Sequence, residues 1–164
     1  TSHLPGLKLK GGKGSMTEAG SRVPLLAWWP GTIQPGIRED FFCLVDVLPS
    51  IHALAGLELT RKVDGLNLSH NLTGTKGKGR EHLLINFGKG YFVRDERFRL
   101  NQDGKLYDIP ITSDHERYSE KVTIDPRHDA HRKRLQKLLE EFMAIENEYA
   151  EELAPRSTRN KKNQ

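Results

Sequence analysis

Between residues 135 and 153 the apolar side chains Leu135, Leu138, Leu139, Phe142, Ile145, Tyr149 and Leu153 recur at steps of three and four. That spacing predicts one long amphipathic helix with a single apolar stripe. Asp125-Pro126 starts it, an N-cap followed by proline at the first helical position, and Pro155 stops it. Upstream, His82–Phe87, Gly90–Val93 and Arg97–Asn101 read as short strands. Gln102-Asp103-Gly104 then turns the chain into a strand over Lys105–Ile109. The expectation is a small antiparallel sheet covered by the helix.

The N-terminal half follows a different pattern. Val23–Trp29 is a continuous apolar run ended by Pro30-Gly31, which predicts a strand buried on both faces and then a turn. No comparable run lies elsewhere in the chain to flank it, so part of its sheet is expected outside these residues. Asp46 is positioned to cap a helix over Val47–Ala55, with Pro49 in the first turn, Gly56 as the stop, and Leu48, Ile51, Leu54 and Ala55 facing inward. Residues 1–22 and the basic stretch Gly74–Arg80 read as loops. The predicted organisation is 1–62, 63–153 and a basic tail over 154–164.

Composition narrows the class. The 164 residues are 35% hydrophobic and 29% charged, which excludes collagen-like and fully disordered chains. No apolar run approaches the roughly 20 residues of a membrane span, and the start lacks the apolar core of a signal peptide. Because the chain opens on Thr1 and not methionine, it is expected to be cut from a longer product, with any address in the missing part. Cys43 is the single cysteine, which excludes an internal disulfide or a thiolate zinc cluster; among Phe41, Phe42, Leu44 and Val45 it reads as a buried small hydrophobe. The net charge of +4 admits an anionic partner.

Several residues carry specific chemistry. Lys10-Gly-Gly-Lys13-Gly-Ser-Met-Thr-Glu18-Ala-Gly-Ser-Arg22-Val-Pro24, continuing to Trp29-Pro30-Gly31, resembles the segment of sulfatases in which Gly-Lys-Gly precedes Glu-(Gly or Ala)-Gly, Arg-Val-Pro and Trp-Pro-Gly. The likeness extends through Val45–Ser50, Leu54-Ala-Gly56 and Asp64-Gly-Leu to the arginine-rich Val93–Leu100 and to Gly104–Asp108. It implies an α/β fold: the C-terminal portion of an alkaline-phosphatase-like sandwich, then a small antiparallel sheet and a terminal helix. It also implies sulfate-ester hydrolysis, a formylglycine nucleophile made from cysteine, a divalent cation, usually Ca2+, and a periplasmic or secreted setting.

The family's Cys-x-(Pro or Ala)-x-Arg motif does not occur in the chain, and Cys43 lies in Phe-Cys-Leu-Val-Asp instead. The resemblance makes Lys13 the residue that contacts the substrate sulfate. Nucleophile and metal ligands are expected on a missing N-terminal part of the catalytic domain, which becomes the chain's partner alongside a sulfated small molecule or glycan. Residues 1–164 alone are expected to be inactive.

A phosphate-binding P-loop needs serine or threonine after the lysine, and Gly14 stands there. Glu18 and Arg22, four apart, read as an ion pair that positions the loop. His128 and His131 have a spacing that can share a metal, but a solvated helical turn is the plainer reading. Asn67-Leu-Ser69 and Asn71-Leu-Thr73 fit the glycosylation pattern. A non-catalytic polyanion-binding module, motivated by Lys76, Lys78 and Arg80, is the alternative class, with nucleic acid disfavoured as its ligand; a phosphoester or phosphonate hydrolase of the same superfamily is the alternative within the enzyme class.

Overall fold

The structure is a computed structural model that describes residues 2–4, 7–9, 12–88, 90–109 and 121–160, with side chains over 12–18, 20–88, 90–109 and 122–148. Two compact units divide it: residues 1–21 with 84–164, and residues 22–83. The side chains of Tyr149 and Leu153, and the residues after Asn160, lie outside the described set.

In the first unit, β1 (Ser2–Leu4) and β2 (Leu7–Leu9) pair antiparallel, with Ser2 opposite Leu9 and Leu4 opposite Leu7. The sequence predicts loop throughout 1–22, so this hairpin is a correction. Its signal is the Pro5-Gly6 turn dipeptide between two short runs that each place leucine beside a polar residue, which the surrounding glycines and lysines obscure.

The predicted antiparallel sheet forms. Its strands run in the order β3 (Leu83–Phe87), β4 (Gly90–Arg94), β5 (Phe98–Asn101), β6 (Leu106–Asp108) and β7 (Lys121–Val122). Side-chain chemistry in the turns fixes the register. Asp95 Oδ1 accepts the backbone N–H of Arg97 at 3.0 Å and of Phe98 at 2.7 Å, closing the β4–β5 turn so that Arg94 faces Arg99. Gly104 at φ +76° closes the next turn, with its N–H on Asn101 O at 2.9 Å, in a region costly for residues with a Cβ.

Of the helices α1 (Glu18–Ser21), α2 (Val47–Leu54), α3 (Ser69–Thr73) and α4 (Asp129–Asn160), the last covers this sheet. Asp125 Oδ1 accepts the Arg127 N–H at 2.9 Å, capping a 3-10 turn over Pro126–His128 that leads into the helix, as its Asp-Pro pair predicts. Leu135 and Leu139 pack on Val93, Phe98, Leu100 and Leu106, with Tyr91 and Leu138 at the margin. Phe142 meets Tyr91 edge to face at 6.0 Å. Burying each such leucine stabilises the fold by roughly 1.5–3 kcal/mol. The helix does not stop at Pro155: the good helix formers around it, Ala150 to Ala154, outweigh one forfeited N–H bond.

The second unit departs further from expectation. Val23–Trp29 forms no strand, and its side chains face out, Leu26 at 95% and Trp28 at 88% exposure. A strand buried on both faces exists only between neighbours that supply hydrogen bonds and apolar cover, and residues 22–83 contain no other strand besides the start of β3 at Leu83. Helix α2 (Val47–Leu54) forms, but it buries Pro49 and Ser50 while Leu48, Ile51 and Ala55 are exposed, which reverses the predicted inner face. Asp46 holds the cap position of α2, yet its carboxylate makes no capping bond to that helix. It accepts instead from Cys43 N and Leu66 N, each at 2.8 Å, and from Arg80. Cys43, predicted buried, is partly exposed.

Candidate functional site

Lys13 lies in the turn that opens the segment Gly12–Ser21, and its side chain is exposed. The turn is built by short polar residues. Ser15 donates to Gly12 O through both its N–H, at 2.8 Å, and its hydroxyl, at 2.6 Å, and the same hydroxyl lies 2.6 Å from Thr17 Oγ1. Gly14 sits at φ +81°, a conformation that disfavours other residues, with the Phe87 ring 3.7 Å from where a Cβ would project. Lys13 is therefore an ammonium raised between two residues without side chains.

Behind the turn comes α1 (Glu18–Ser21). Gly20 packs so closely that a Cβ would fall 2.2 Å from Ser15 O and 2.5 Å from Gly12 O. Glu18 is fully buried and finds its guanidinium partners 76 and 81 positions away in sequence: Arg94 donates to Oε2, and Arg99 Nη1 stands 3.9 Å from Oε1. The four-residue spacing predicts a local ion pair of Glu18 with Arg22; the structure adds these two distant guanidinium groups to the surroundings of Glu18. Arg94 and Arg99 fall within the arginine-rich strand of the family resemblance, which was the available signal.

Two of the three cations raised for polyanion binding, Lys78 and Arg80, have counter-charges beside them. Arg80 is committed to Asp46, and Lys78 Nζ lies 3.3 Å from Glu81 Oε1. Among the described residues His128 and His131 belong to no group of three or more metal-ligating side chains. The rings of His128 and His131 each lie tilted against Phe98, at 4.7 and 4.6 Å, with His128 Nδ1 3.0 Å from Thr123 Oγ1 and His131 Nδ1 3.3 Å from Asp95 Oδ2. Asn71 is buried, unsuited to a surface glycosylation acceptor, whereas Asn67 is exposed.

A divalent cation does not fit the described residues. Among them no group of three or more His, Cys, Asp or Glu side chains converges on one point. The buried carboxylates are occupied by arginine: Glu18 by Arg94, Asp46 by Arg80, and Asp95 by Arg134 at 2.5 Å. Burial raises the Asp95 carboxyl, but the N–H groups of Phe98 and Arg97 and the Arg134 and His131 side chains outweigh it, leaving it below its ordinary value. Among the described residues no helix is long and apolar enough to cross a membrane.

Comparison with known proteins places these features. The sulfatase family model matches residues 2–57, a span that contains Lys13, Glu18 and the exposed apolar run. Arylsulfatase A of Bos taurus is 46% identical over 78 residues, 47% of this chain and 15% of that protein. Steryl-sulfatase of Mus musculus is 36% identical over 85 residues, 50% of this chain and 14% of that protein. An N-acetylgalactosamine-6-O-sulfatase of Bacteroides thetaiotaomicron is 30% identical over 104 residues, 63% of this chain and 18% of that protein. The chain thus spans under one-fifth of the length of these relatives. No solved structure matches it. With its Gly-Lys-Gly turn and Arg-Val-Pro segment inside the matched span, the chain carries a sulfatase-family segment over residues 2–57.

Proposed function

We propose that this chain contributes the substrate-contacting lysine of a sulfate-ester hydrolase whose nucleophile and cation ligands lie on other polypeptide. The observation that carries this is Lys13: a cation exposed on a glycine-flanked turn, inside the span that matches the sulfatase family. When the S–O bond of a sulfate ester breaks, negative charge builds on the bridging oxygen, and a cation fixed there stabilises the transition state more than the ground state. Gly12 and Gly14 leave a sulfate free to approach the ammonium closely.

The divalent cation that the resemblance implies, Ca2+ in most of the family, finds no ligand set among the described residues, so its ligands are assigned with the nucleophile to the missing N-terminal part of the catalytic domain. The same partner accounts for the exposed apolar residues. Val23, Leu25, Leu26, Trp28, Ile37, Leu44, Val45, Leu48 and Ile51 all lie in the family-matched span and all face out. An apolar surface of that extent calls for cover, and the remainder of an alkaline-phosphatase-like sandwich supplies it.

The test is a chimera in which this chain's matched segment replaces the corresponding one in Bos taurus arylsulfatase A. The chimera should release sulfate from a chromogenic aryl sulfate, and Lys13→Ala within it should lower kcat by about 10²–10³-fold, as for loss of one oxyanion donor. An active chimera indifferent to Lys13→Ala removes Lys13 from the site. Robust turnover by residues 1–164 alone overturns the shared-site account.

A further inference from the structure

We infer that Arg94 and Arg99 are positioning residues for Lys13, acting through Glu18: the C-terminal sheet is the platform that sets where the Lys13 turn is held. The significance of this for catalysis rests on the reading of Lys13 as the sulfate contact; the clamp itself stands on geometry. Both guanidinium groups are oriented by the sheet independently of Glu18. Arg94 Nε donates to Asp95 O and Nη2 to Glu96 O, each at 3.0 Å. Arg99 Nε donates to Asn101 Oδ1 at 3.1 Å, and its guanidinium lies over the Tyr107 ring at 4.5 Å and the Phe92 ring at 5.2 Å. A forked donor held in this way presents its remaining N–H groups in a fixed direction.

Glu18 docks on that pair, buried to 0% exposure. From Glu18 the constraint reaches Lys13 through stiff, short links. Gly20 N–H and Ser21 N–H both donate to Thr17 O, Thr17 meets the Ser15 hydroxyl, and Ser15 returns to Gly12 O, so the residues on each side of Lys13 are tied to one another. Two further contacts seat the segment on the β3–β4 end of the sheet: Gly14 beside Phe87, and Met16, whose Sδ lies 3.1 Å from where a Cβ of Gly90 would project. The sheet thus specifies the turn through Glu18 and these two seats.

Amide exchange on the full 15N-labelled chain tests this. Glu18→Gln and Arg94→Met should each speed exchange of the Ser15, Gly20 and Ser21 amides at least about tenfold, leaving the sheet amides of Asn101, Ile109 and Thr123 within about twofold. Arg94→Lys, which keeps the charge but not the fork, should restore part of the lost protection. The Glu18→Gln/Arg94→Met double variant removes both charges together and guards against collapse caused by one unpaired buried charge. Unchanged loop amides in the double variant overturn the clamp, and so does loss of sheet and loop protection together, which would make the pair a general core element. Lys13→Ala should leave all six amides unmoved. Loss of the sulfate role in the chimera would therefore leave this result standing, and the reverse.

Discussion

Arg80 holds the buried carboxylate of Asp46 through two N–H groups, Nε to Oδ2 at 3.0 Å and Nη2 to Oδ1, across 34 positions of sequence. The same carboxylate accepts the N–H groups of Cys43 and Leu66, so one side chain ties the approach to α2, the segment after it and the basic loop together. Removing one member of a buried pair strands the other, at a cost of roughly 3–5 kcal/mol. Asp46→Ala should therefore destabilise residues 22–83 by about that amount. Arg80→Ala should cost less, because Asp46 keeps two backbone donors. Exchange rates at the Leu66 and Leu68 amides report the loss; equal effects from both substitutions would contradict the unequal sharing of donors.

Acid should unfold the chain through a small set of carboxylates. Burial raises Asp46 and Asp95, but their N–H donors and arginine partners outweigh it, and both lie below the ordinary 3.8. Asp108 is lowered chiefly by Arg97, and exposed Asp125 falls to about 2 beside Arg127. A depressed folded-state pKa means that the unfolded chain binds more protons in this range, so stability rises with pH there and is lost as pH falls. The melting temperature should be flat above about pH 5 and decline progressively below it. Asp95→Asn should lower the plateau and flatten the decline. A decline that began near pH 6.5 would point to histidine and away from these carboxylates.

Among the described side chains of α4, Leu135 is the one most completely enclosed, with no exposed surface and a place in the cluster of Val93, Phe98, Leu100 and Leu106. Leu135→Ala should cost about 2–5 kcal/mol, the transfer of the lost methylenes plus the cavity they leave. Ile145, half-exposed on the same helix, should tolerate alanine with a change below about 1 kcal/mol. Urea denaturation followed by far-ultraviolet circular dichroism measures both, and comparable costs would mean that α4 does not lie on the sheet as described.

What the sequence made legible is what short-range pattern determines. The α4 stripe, the turn at Gly104 and the Asp125-Pro126 start are local devices, each decided by residues within a few positions. Lys13 was legible as a candidate only through the family resemblance, because a lysine between glycines looks like any solvated loop. The partners of Glu18 and Asp46 were not legible: 76 and 34 positions separate them from Arg94 and Arg80, and a carboxylate near a helix start suggests a cap whether or not a distant arginine claims it. Val23–Trp29 misled for a related reason. Its apolar composition predicts a buried strand, but a strand needs neighbours, and residues 22–83 hold no other besides the start of β3.

That last point sets opposite expectations for one substitution in two contexts. Trp28 is 88% exposed in this chain, so Trp28→Ser removes almost no buried area and should change stability by no more than about 0.5 kcal/mol, while lowering self-association at high concentration. Were the run a core strand within residues 1–164, truncating such a residue would cost roughly 3–5 kcal/mol. In the arylsulfatase chimera, where the proposed sandwich covers the run, the larger cost should appear. Thermal melting of both proteins with and without the substitution measures the difference. A large loss in the isolated chain would show that Trp28 is already covered there; a small loss in both would show that the sandwich does not cover it.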